Sequence, residues 1–162
     1  FVQDRVGRFG KIFKCYKIRT MVVDADQVLA DLCAKDPAVA AEWKEFQKLR
    51  NDPRITKWGE FLRKTSIDEL PQLFNVLKGD MSLVGPRPFM VEQSQMYRAG
   101  GGRTYFAMRP GITGEWQVEG RGETSFVDRV RYDNIYYASY SLTHDLRLLV
   151  RTVTVVLKST GH

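Results

Sequence analysis

Apolar positions along the chain recur mostly at the spacing of an α-helix. Leu70, Leu73, Phe74 and Leu77 fall on one face of a predicted helix, which Gly79 is suited to end. Packing in a core is the default interpretation of such a face, and docking on a membrane surface is the alternative. The pattern therefore predicts an amphipathic helix but leaves open what covers it.

Two further segments carry helical patterns. Residues 24–50 are predicted to form helices with a solvated outer face and no chemistry, one of them starting at Asp36-Pro37, which suits an N-cap and a first helical position. From Ser141 onward the spacing predicts a last amphipathic helix. Its polar face carries Arg147, Arg151, Thr154 and Lys158. Its apolar side carries Leu146, Leu149, Val150, Val153, Val156 and Leu157.

Strand signals are fewer and shorter. Gly7 and Gly10 flank two residues and indicate a hairpin turn within the first 20 residues. The segment 109–114 is rich in turn-forming residues, and 116–118 is typical of a short strand. Together the patterns predict one domain over residues 1–162 of the α+β class: a mostly helical, compact membrane-surface domain with amphipathic helices and a short strand or hairpin element.

Composition narrows the possible chemistry. With 43% hydrophobic and 27% charged residues, the 162-residue chain is globular, and no uncharged run approaches the roughly 20 apolar residues of a membrane-spanning helix. Cys15 and Cys33 match no zinc spacing, and two histidines in the whole chain nearly exclude a Ser-His-Asp triad or a histidine metal site. Any catalysis must therefore rest on carboxylates and arginines.

Positive charge is concentrated at the start of the chain. The formal net charge is +6, and residues 1–20 hold six basic side chains against the single acid Asp4. A solvated strand pair is the ordinary explanation, while contact with an anionic membrane surface or a nucleic acid would also suit such a block. Because no helix-turn-helix or RNA-binding signature is present, we do not expect nucleic acid as a partner.

The most suggestive candidates for chemistry are the adjacent acids Asp68 and Glu69 at the start of a predicted helix. N-capping is the plain explanation, because free N–H groups favour acids there. Several basic residues surround the pair in sequence. These are Arg54, Lys57, Arg63 and Lys64 before it, Arg87 between two prolines after it, and Arg109 and Arg121 in glycine-rich turns. Acids with several arginines are what a phosphate-handling site needs, because arginines clamp phosphate oxygens while a carboxylate binds Mg²⁺ or attacks phosphorus.

Several collinear motifs give the chain a recognisable resemblance. They are Arg5-Val6-Gly7, Lys17-Ile18-Arg19-Thr20-Met21, Asn51-Asp52-Pro53-Arg54-Ile55-Thr56, 61–73, 79–88, Arg109-Pro110-Gly111-Ile112-Thr113-Gly114, Trp116-Gln117-Val118, Gly120-Arg121, Tyr132-Asp133 and Tyr136-Tyr137. The chain resembles the catalytic domain of bacterial sugar transferases, the monotopic polyprenyl-phosphate phosphoglycosyl transferases. The helical insertion at 24–50 resembles the branch that transfers hexose-1-phosphates, galactose-1-phosphate among them.

The resemblance implies a reaction and a set of roles. A UDP-sugar would give its sugar-1-phosphate to polyprenyl (undecaprenyl) phosphate and release UMP, as the first membrane step of O-antigen, exopolysaccharide or capsule assembly. Asp68 matches the nucleophile and Glu69 the partner that binds Mg²⁺. Arg63, Arg87 and Arg109 match arginines around the phosphates, with Arg121 expected beside them, and Asp133 matches a further acid near the site.

The resemblance also implies a place in the cell. Family members sit on the cytoplasmic face of the bacterial inner membrane through an amino-terminal re-entrant helix, and this chain opens at Phe1-Val2-Gln3, just after where that helix would lie. A homo-oligomer is left open. The alternative function is a non-catalytic membrane- or polysaccharide-associated module of the same fold, although the presence of both Asp68 and Glu69 argues against lost activity.

Overall fold

The computed structural model describes residues 1–120 and 124–157. Its strands are β1 (Val2–Val6), β2 (Ile12–Tyr16), β3 (Ser82–Val84) and β4 (Gly111–Thr113). Its α-helices are α1 (Ala25–Lys35), α2 (Pro37–Phe46), α3 (Lys57–Lys64), α4 (Gln72–Lys78), α5 (Ser94–Ala99), α6 (Arg129–Ser139) and α7 (Leu142–Leu157). Short 3-10 turns and one π-helical turn, Trp116–Gly120, lie between them. The predicted α+β, mostly helical class is confirmed.

The strands form two small sheets. β1 and β2 pair antiparallel, with Val6 opposite Ile12, which confirms the predicted hairpin. β3 and β4 pair in parallel, with Ser82 opposite Gly111. Of the two strands, β4 lies inside the segment 109–114, which was predicted only as turns.

The predicted strand at 116–118 is wrong, because the chain is a π-helical turn there. The indole N–H of Trp116 donates to Thr124 Oγ1 at 2.9 Å, and that hydroxyl donates to the Gly120 carbonyl. These contacts bend the chain away from the extended form.

An aromatic cluster forms the main core. The rings of Phe89, Tyr97 and Tyr105 are fully buried, and the centroid of Phe89 lies 4.9 Å from that of Tyr97 and 4.4 Å from that of Tyr105. Val6 of β1 packs into the same cluster. Phe89 thus fixes the chain directly after the Pro-Arg-Pro segment.

The insertion at 24–50 is a helical hairpin of α1 and α2 on the outside of the domain. Asp36 caps α2 by accepting from the Ala38 N–H at 2.8 Å, as predicted. Neither helix contains a fully buried residue, which agrees with the solvated face expected there. The hairpin is joined to the rest of the domain by a hydrogen bond from the Phe126 N–H to the Glu45 carbonyl.

Helix α4 turns its apolar face outward and its polar face inward. Leu70, just before the helix, is 56% exposed, and Phe74 and Leu77 are 64% and 83% exposed, whereas Gln72 and Asn75 are buried. Core packing of this face, the default expectation, is therefore wrong. The reason is that the buried side of α4 is committed to hydrogen bonds with β2, described below.

Helix α7 also exposes part of its apolar side. Its Leu148 is buried, but Leu146, Val150 and Val153 on the predicted apolar side are exposed. The side chains of Leu157 and Lys158, also assigned to its faces, lie outside what the structure describes. Within residues 1–120 and 124–157, we find no helix both long and apolar enough to cross a bilayer.

Candidate active site

The acids Asp68 and Glu69 lie in a 3-10 turn, Ile67–Glu69, that leads directly into α4. Ser66 enters the turn in the left-handed region, with φ of 55°. The N–H of Ile18 donates to the backbone carbonyl of Asp68 at 3.0 Å and ties the turn to the chain that leaves β2. The predicted placement of both acids at a helix start is thereby confirmed.

Asn75 holds α4 against β2. Its side-chain amide donates to the Lys14 carbonyl at 2.7 Å, and its Oδ1 accepts from the Tyr16 N–H at 3.1 Å. The side chain is fully buried, so both bonds are protected from water. This contact sets the distance between the end of β2 and the acid pair.

Lys17, the residue after β2, points into the acid pair. Its Nζ lies 2.9 Å from Glu69 Oε1 and 3.7 Å from Asp68 Oδ2. The sequence analysis did not single it out, because it stood in a basic block explained by other surfaces. Its place in the Lys17–Met21 motif was the signal that could have found it.

Arg87 reaches the same carboxylate from the Pro-Arg-Pro segment. Its Nη2 donates to Glu69 Oε1 at 2.7 Å. Burial alone would raise the pKa of Glu69, but the charges of Arg87 and Lys17 and their hydrogen bonds outweigh it and hold that pKa far below its usual range. Glu69 is therefore a firmly ionised carboxylate between two cations.

Asp68 behaves in the opposite way. Burial raises its pKa, with a contribution from the charge of Glu69, and Lys17, Arg87 and Arg63 offset this only in part. Adjacent carboxyls with pKa values displaced in opposite directions are typical of pairs with separate chemical tasks. Of the two carboxylates, Asp68 is therefore the more basic.

The remaining predicted residues take different positions. Arg63 donates from Nε to Thr20 Oγ1 at 3.0 Å and contributes charge to the surroundings of Asp68. Arg109 is exposed on the loop before β4. Asp133 is buried on α6 and accepts from the Tyr97 hydroxyl at 2.8 Å. The structure thus brings Arg63 and Arg87 to the acid pair and places Asp133 in the core beside Tyr97 and Arg129, while Arg121 lies outside the described residues.

The acid pair suits Mg²⁺ only with help from a substrate. Both recorded hydrogen bonds to Glu69 end on one oxygen, Oε1. Among residues 1–120 and 124–157, no group of three or more Asp, Glu, His or Cys side chains could hold a metal ion. Mg²⁺ is commonly bound by one or two carboxylates plus phosphate oxygens and water, so these donors fit an ion that arrives with a diphosphate.

An apolar cavity of about 190 Å³ includes Glu69, one of the two acids, in its lining. Glu69 and Arg87 form its charged end, and the walls continue between α4, β3 and α7. Most of its lining is aliphatic, as at Leu73, Leu83 and Leu149. Such a cavity suits a hydrocarbon better than a hydroxylated sugar, whose polar groups would lose their hydrogen bonds there.

Comparison with known proteins identifies the family of the chain. The family model described as bacterial sugar transferase matches residues 1–159. The chain is 51% identical over 158 residues to an undecaprenyl-phosphate galactose phosphotransferase of Salmonella typhimurium, covering 98% of this chain and 33% of that protein. It is 48% identical over 162 residues to the galactosyl transferase CpsE of Streptococcus agalactiae, covering 99% of this chain and 35% of that one. It is 43% identical over 157 residues to the exopolysaccharide production protein ExoY of Sinorhizobium fredii, covering 97% of this chain and 69% of that one.

The share of each protein covered matters as much as the identity. The chain spans about a third of the length of the first two relatives and about two thirds of the third. Yet the family match itself runs over nearly every residue of the chain, the acid pair and the Pro-Arg-Pro segment included. The protein therefore belongs to the bacterial sugar transferase family.

Proposed function

We propose that the protein transfers a hexose-1-phosphate from a UDP-sugar to polyprenyl phosphate and releases UMP. In the first step an oxygen of Asp68 attacks the sugar-bearing phosphorus, and the bond from that phosphorus to the bridging oxygen breaks as UMP leaves. In the second step an oxygen of polyprenyl phosphate attacks the same phosphorus and frees the Asp68 carboxylate. A covalent intermediate divides one difficult transfer into two easier ones.

The observation that carries this proposal is the pairing of two unlike carboxylates within reach of several cations. Asp68 has a raised pKa, while Glu69 is held ionised by Lys17 and Arg87. An anionic diphosphate entering this site would replace the carboxylate as a partner for those cations. Preorganised cations of this kind stabilise the charge that develops on transferred phosphoryl groups.

The other predicted residues receive supporting roles in the proposal. Arg63, Arg87, Arg109 and Arg121 would contact the phosphates, and Asp133 would act as an acid near the site. Glu69 would hold Mg²⁺ together with diphosphate oxygens, and the ion would supply neutralisation of the phosphate charge.

The apolar cavity and the exposed face of α4 support a lipid acceptor. The cavity joins Glu69 and Arg87 to aliphatic walls, and Leu70 and Leu73 belong both to its lining and to the exposed surface. In an amphiphile, the anionic head would suit the cations around Glu69 and the hydrocarbon chain would suit the aliphatic walls. In the proposal α4 lies against the lipid, and the family resemblance supports the cytoplasmic face of the bacterial inner membrane as the place.

The covalent step can be tested without the lipid acceptor. UDP-galactose is the first donor to try, since two of the compared relatives are named as a galactose phosphotransferase and a galactosyl transferase. We expect the wild-type protein to release a burst of UMP of at most one per protein chain and to gain a sugar-phosphate mass on the peptide containing Asp68. Asp68→Asn should abolish both, because an amide is a much poorer nucleophile.

Asp4→Asn is the matched control, since Asp4 pairs with the exposed Lys14, away from the acid pair in sequence, and the change should leave the burst unchanged. Turnover with acceptor but neither burst nor adduct without it would show direct attack by the lipid phosphate, with Asp68 in another role. Absence of turnover with every UDP-hexose, together with retained membrane binding, would instead favour the non-catalytic module.

A further inference from the structure

The Pro-Arg-Pro segment presents a backbone problem that two other arginines solve. Pro86 and Pro88 have no N–H, so the segment cannot pair as a strand, yet its carbonyls are drawn into the protein. The Gly111 N–H donates to the Pro86 carbonyl at 2.8 Å. The next two carbonyls accept from guanidinium groups, that of Arg87 from Arg129 and that of Pro88 from Arg5.

Arg129 reaches its carbonyl from within the aromatic core. Arg129 is the first residue of α6 and is 4% exposed. Its guanidinium carbon lies 5.5 Å from the ring centroid of Phe89 and 5.1 Å from those of Trp116 and Phe126. Asp133, one helical turn further along α6, supplies an opposing charge. Burying a charged guanidinium costs more free energy than burying an apolar side chain of the same size. Packing alone therefore does not explain an arginine at this position, whereas the hydrogen bond to the Arg87 carbonyl does.

Arg5 approaches the segment from the other side. Its Nη1 donates to the Pro88 carbonyl at 3.4 Å, while Nη2 donates to Gln3 Oε1 at 2.7 Å. The neighbouring N–H of Val6 donates to the Phe89 carbonyl at 3.1 Å, and Arg5 forms an isolated bridge with Met90. Strand β1 therefore runs along the chain that leaves the segment and holds it in place.

We propose that Arg129 and Arg5 are positioning residues that fix the peptide groups around Arg87 and so aim its guanidinium at Glu69. Neither side chain needs to touch the substrate. Holding the carbonyl of Arg87 fixes the direction in which its Cα–Cβ bond leaves the backbone, and from there its Nη2 reaches Glu69 Oε1 at 2.7 Å. The geometric part stands on the contacts alone, while the effect on turnover rests on the proposed phosphoglycosyl transfer.

The kinetic test compares single and double variants in the protein with its lipid acceptor. Arg129→Lys keeps the charge but cannot reproduce the planar fork, and misplacing a reacting contact by about 1 Å can cost roughly 100-fold. We expect Arg129→Lys to lower kcat/KM for the UDP-sugar by about 10- to 100-fold. Because it acts through Arg87, its effect should shrink several-fold in the Arg87→Lys background. Arg5→Lys should also lower kcat/KM, and it replaces Arg129→Lys in the test if the latter fails to fold.

Two controls separate positioning from general loss of stability. Val130→Ala removes core volume from the residue next to Arg129 and should lower the melting temperature without a comparable loss of kcat/KM. Arg98→Lys changes an exposed guanidinium stacked at 3.8 Å on Phe106 and should leave kcat/KM unchanged. Equal losses in Val130→Ala and Arg129→Lys, or effects of Arg129→Lys and Arg87→Lys that simply multiply, would overturn the proposal.

A spectroscopic measurement tests the geometry without any substrate. In ¹⁵N spectra, the Nη–H signal of Arg87, whose Nη2 donates to Glu69 Oε1, should be sharp and slow to exchange in the wild type. It should broaden or exchange faster in Arg129→Lys but not in Val130→Ala. An unchanged Arg87 signal in Arg129→Lys would refute the positioning role whatever the kinetics show. A changed signal in a protein with no turnover would uphold it and refute the proposed function instead.

Discussion

Glu69 and Asp68 are neighbours in sequence, yet each meets a different environment. Lys17 and Arg87 both bind one oxygen of Glu69, whereas Asp68 is buried with Lys17 no closer than 3.7 Å. The Glu69 carboxylate is therefore suited to hold cations, and the Asp68 carboxylate is suited to donate an electron pair. This division follows from side chains that lie 52 and 18 positions away from Glu69 along the chain.

Changing Glu69 should separate metal dependence from folding. Glu69→Gln keeps the size of the side chain but removes the negative charge that attracts a cation, so we expect turnover to fall roughly 100-fold or more, the cost of one lost preorganised electrostatic contact. Initial rates measured against free Mg²⁺ would show it. Glu60→Gln, on the exposed face of α3, is the matched control. Full wild-type activity in excess EDTA would contradict a role for the metal.

Gly111 allows two backbones to approach each other closely. A Cβ at this position would lie 2.1 Å from the Gly85 nitrogen, a distance that real Cβ atoms do not adopt. We expect Gly111→Ala to lower the free energy of unfolding by about 3 kcal/mol or more, above the usual range for overpacking because backbone rather than side chain must move. Urea denaturation would measure the loss. Ser82→Ala, in the partner strand, adds no atom and should change stability far less; equal effects would contradict the packing argument.

These residues also show where sequence reasoning stops. Asp68, Glu69 and Arg87 could be identified because their motif is local and recognisable. Gly111 was taken for a turn residue, since glycines that permit close parallel strands look the same in sequence as glycines that permit turns. Lys17 could not be assigned to the site from charge alone, because its contact with Glu69 depends on how α4 docks against β2.

At the scale of elements, α4 is the unusual member of the fold. Its polar residues Gln72 and Asn75 are buried while its leucines and Phe74 face outward. Periodicity predicts that a helix has two faces, but it does not say which one the protein covers. Here the hydrogen bonds of Asn75 to β2 decide the orientation, and they are long-range contacts that a local pattern does not contain.

The exposed face of α4 should bind lipid. We expect the protein to float with anionic liposomes, and the double change Phe74→Ser with Leu77→Ser to reduce the bound fraction by at least about tenfold, since burying one such side chain is worth about 1.5–3 kcal/mol. Flotation at low and high salt would measure it, with Phe74→Leu as a control that keeps the face apolar. Equal flotation of the double variant and the wild type would show that other surfaces carry the contact.

The basic side chains of residues 1–20 fall into two groups in the structure, those that contact acids or backbone carbonyls and those that lie over aromatic rings near the surface. Lys17 and Arg5 point to the acid pair and the Pro-Arg-Pro segment, and Lys14 pairs with Asp4. Arg8 and Arg19 lie over the rings of Phe9 and Phe1 near the surface. Fewer of these charges are therefore available to a membrane than their number in the sequence suggests.

At the scale of the whole molecule, one buried carboxyl should make stability depend on pH. Burial raises the pKa of Asp133 to about 6 from 3.8, although Arg129 and the Tyr97 hydroxyl oppose the shift. The folded protein therefore binds this proton more tightly than the unfolded chain does. Its cost to stability is complete above pH 6 and is relieved as the pH falls toward 4, by about 3 kcal/mol for about two units.

Asp133→Asn removes this titration. The wild type should gain stability relative to the variant as the pH falls from 6.5 to 4, and the difference should be constant above pH 7. Urea unfolding of both proteins at several pH values gives the comparison. A difference that does not change with pH would mean that Asp133 has an ordinary pKa in the folded state.

Most of the helices and the hairpin could be predicted from the sequence, whereas the way in which distant segments pack together could not. The start of α2, the end of α4 at Gly79 and the hairpin of β1 and β2 follow from local signals, namely a cap, a left-handed glycine and a turn. The parallel pair of β3 and β4, the inverted α4 and the buried Arg129 depend on contacts between distant segments. The sequence carries those contacts only as residue types, with no local pattern to mark them.

The inverted helix has a consequence for where the reaction takes place. Asp68 precedes the outward-facing Leu70 by only two residues, so a bilayer that receives α4 would fix the height of the proposed nucleophile to within about one helical turn, roughly 5 Å. A lipid phosphate diffusing in the leaflet would then meet the carboxylate in its own plane. The acceptor would search two dimensions instead of three, and only the water-soluble donor would have to arrive from outside that plane.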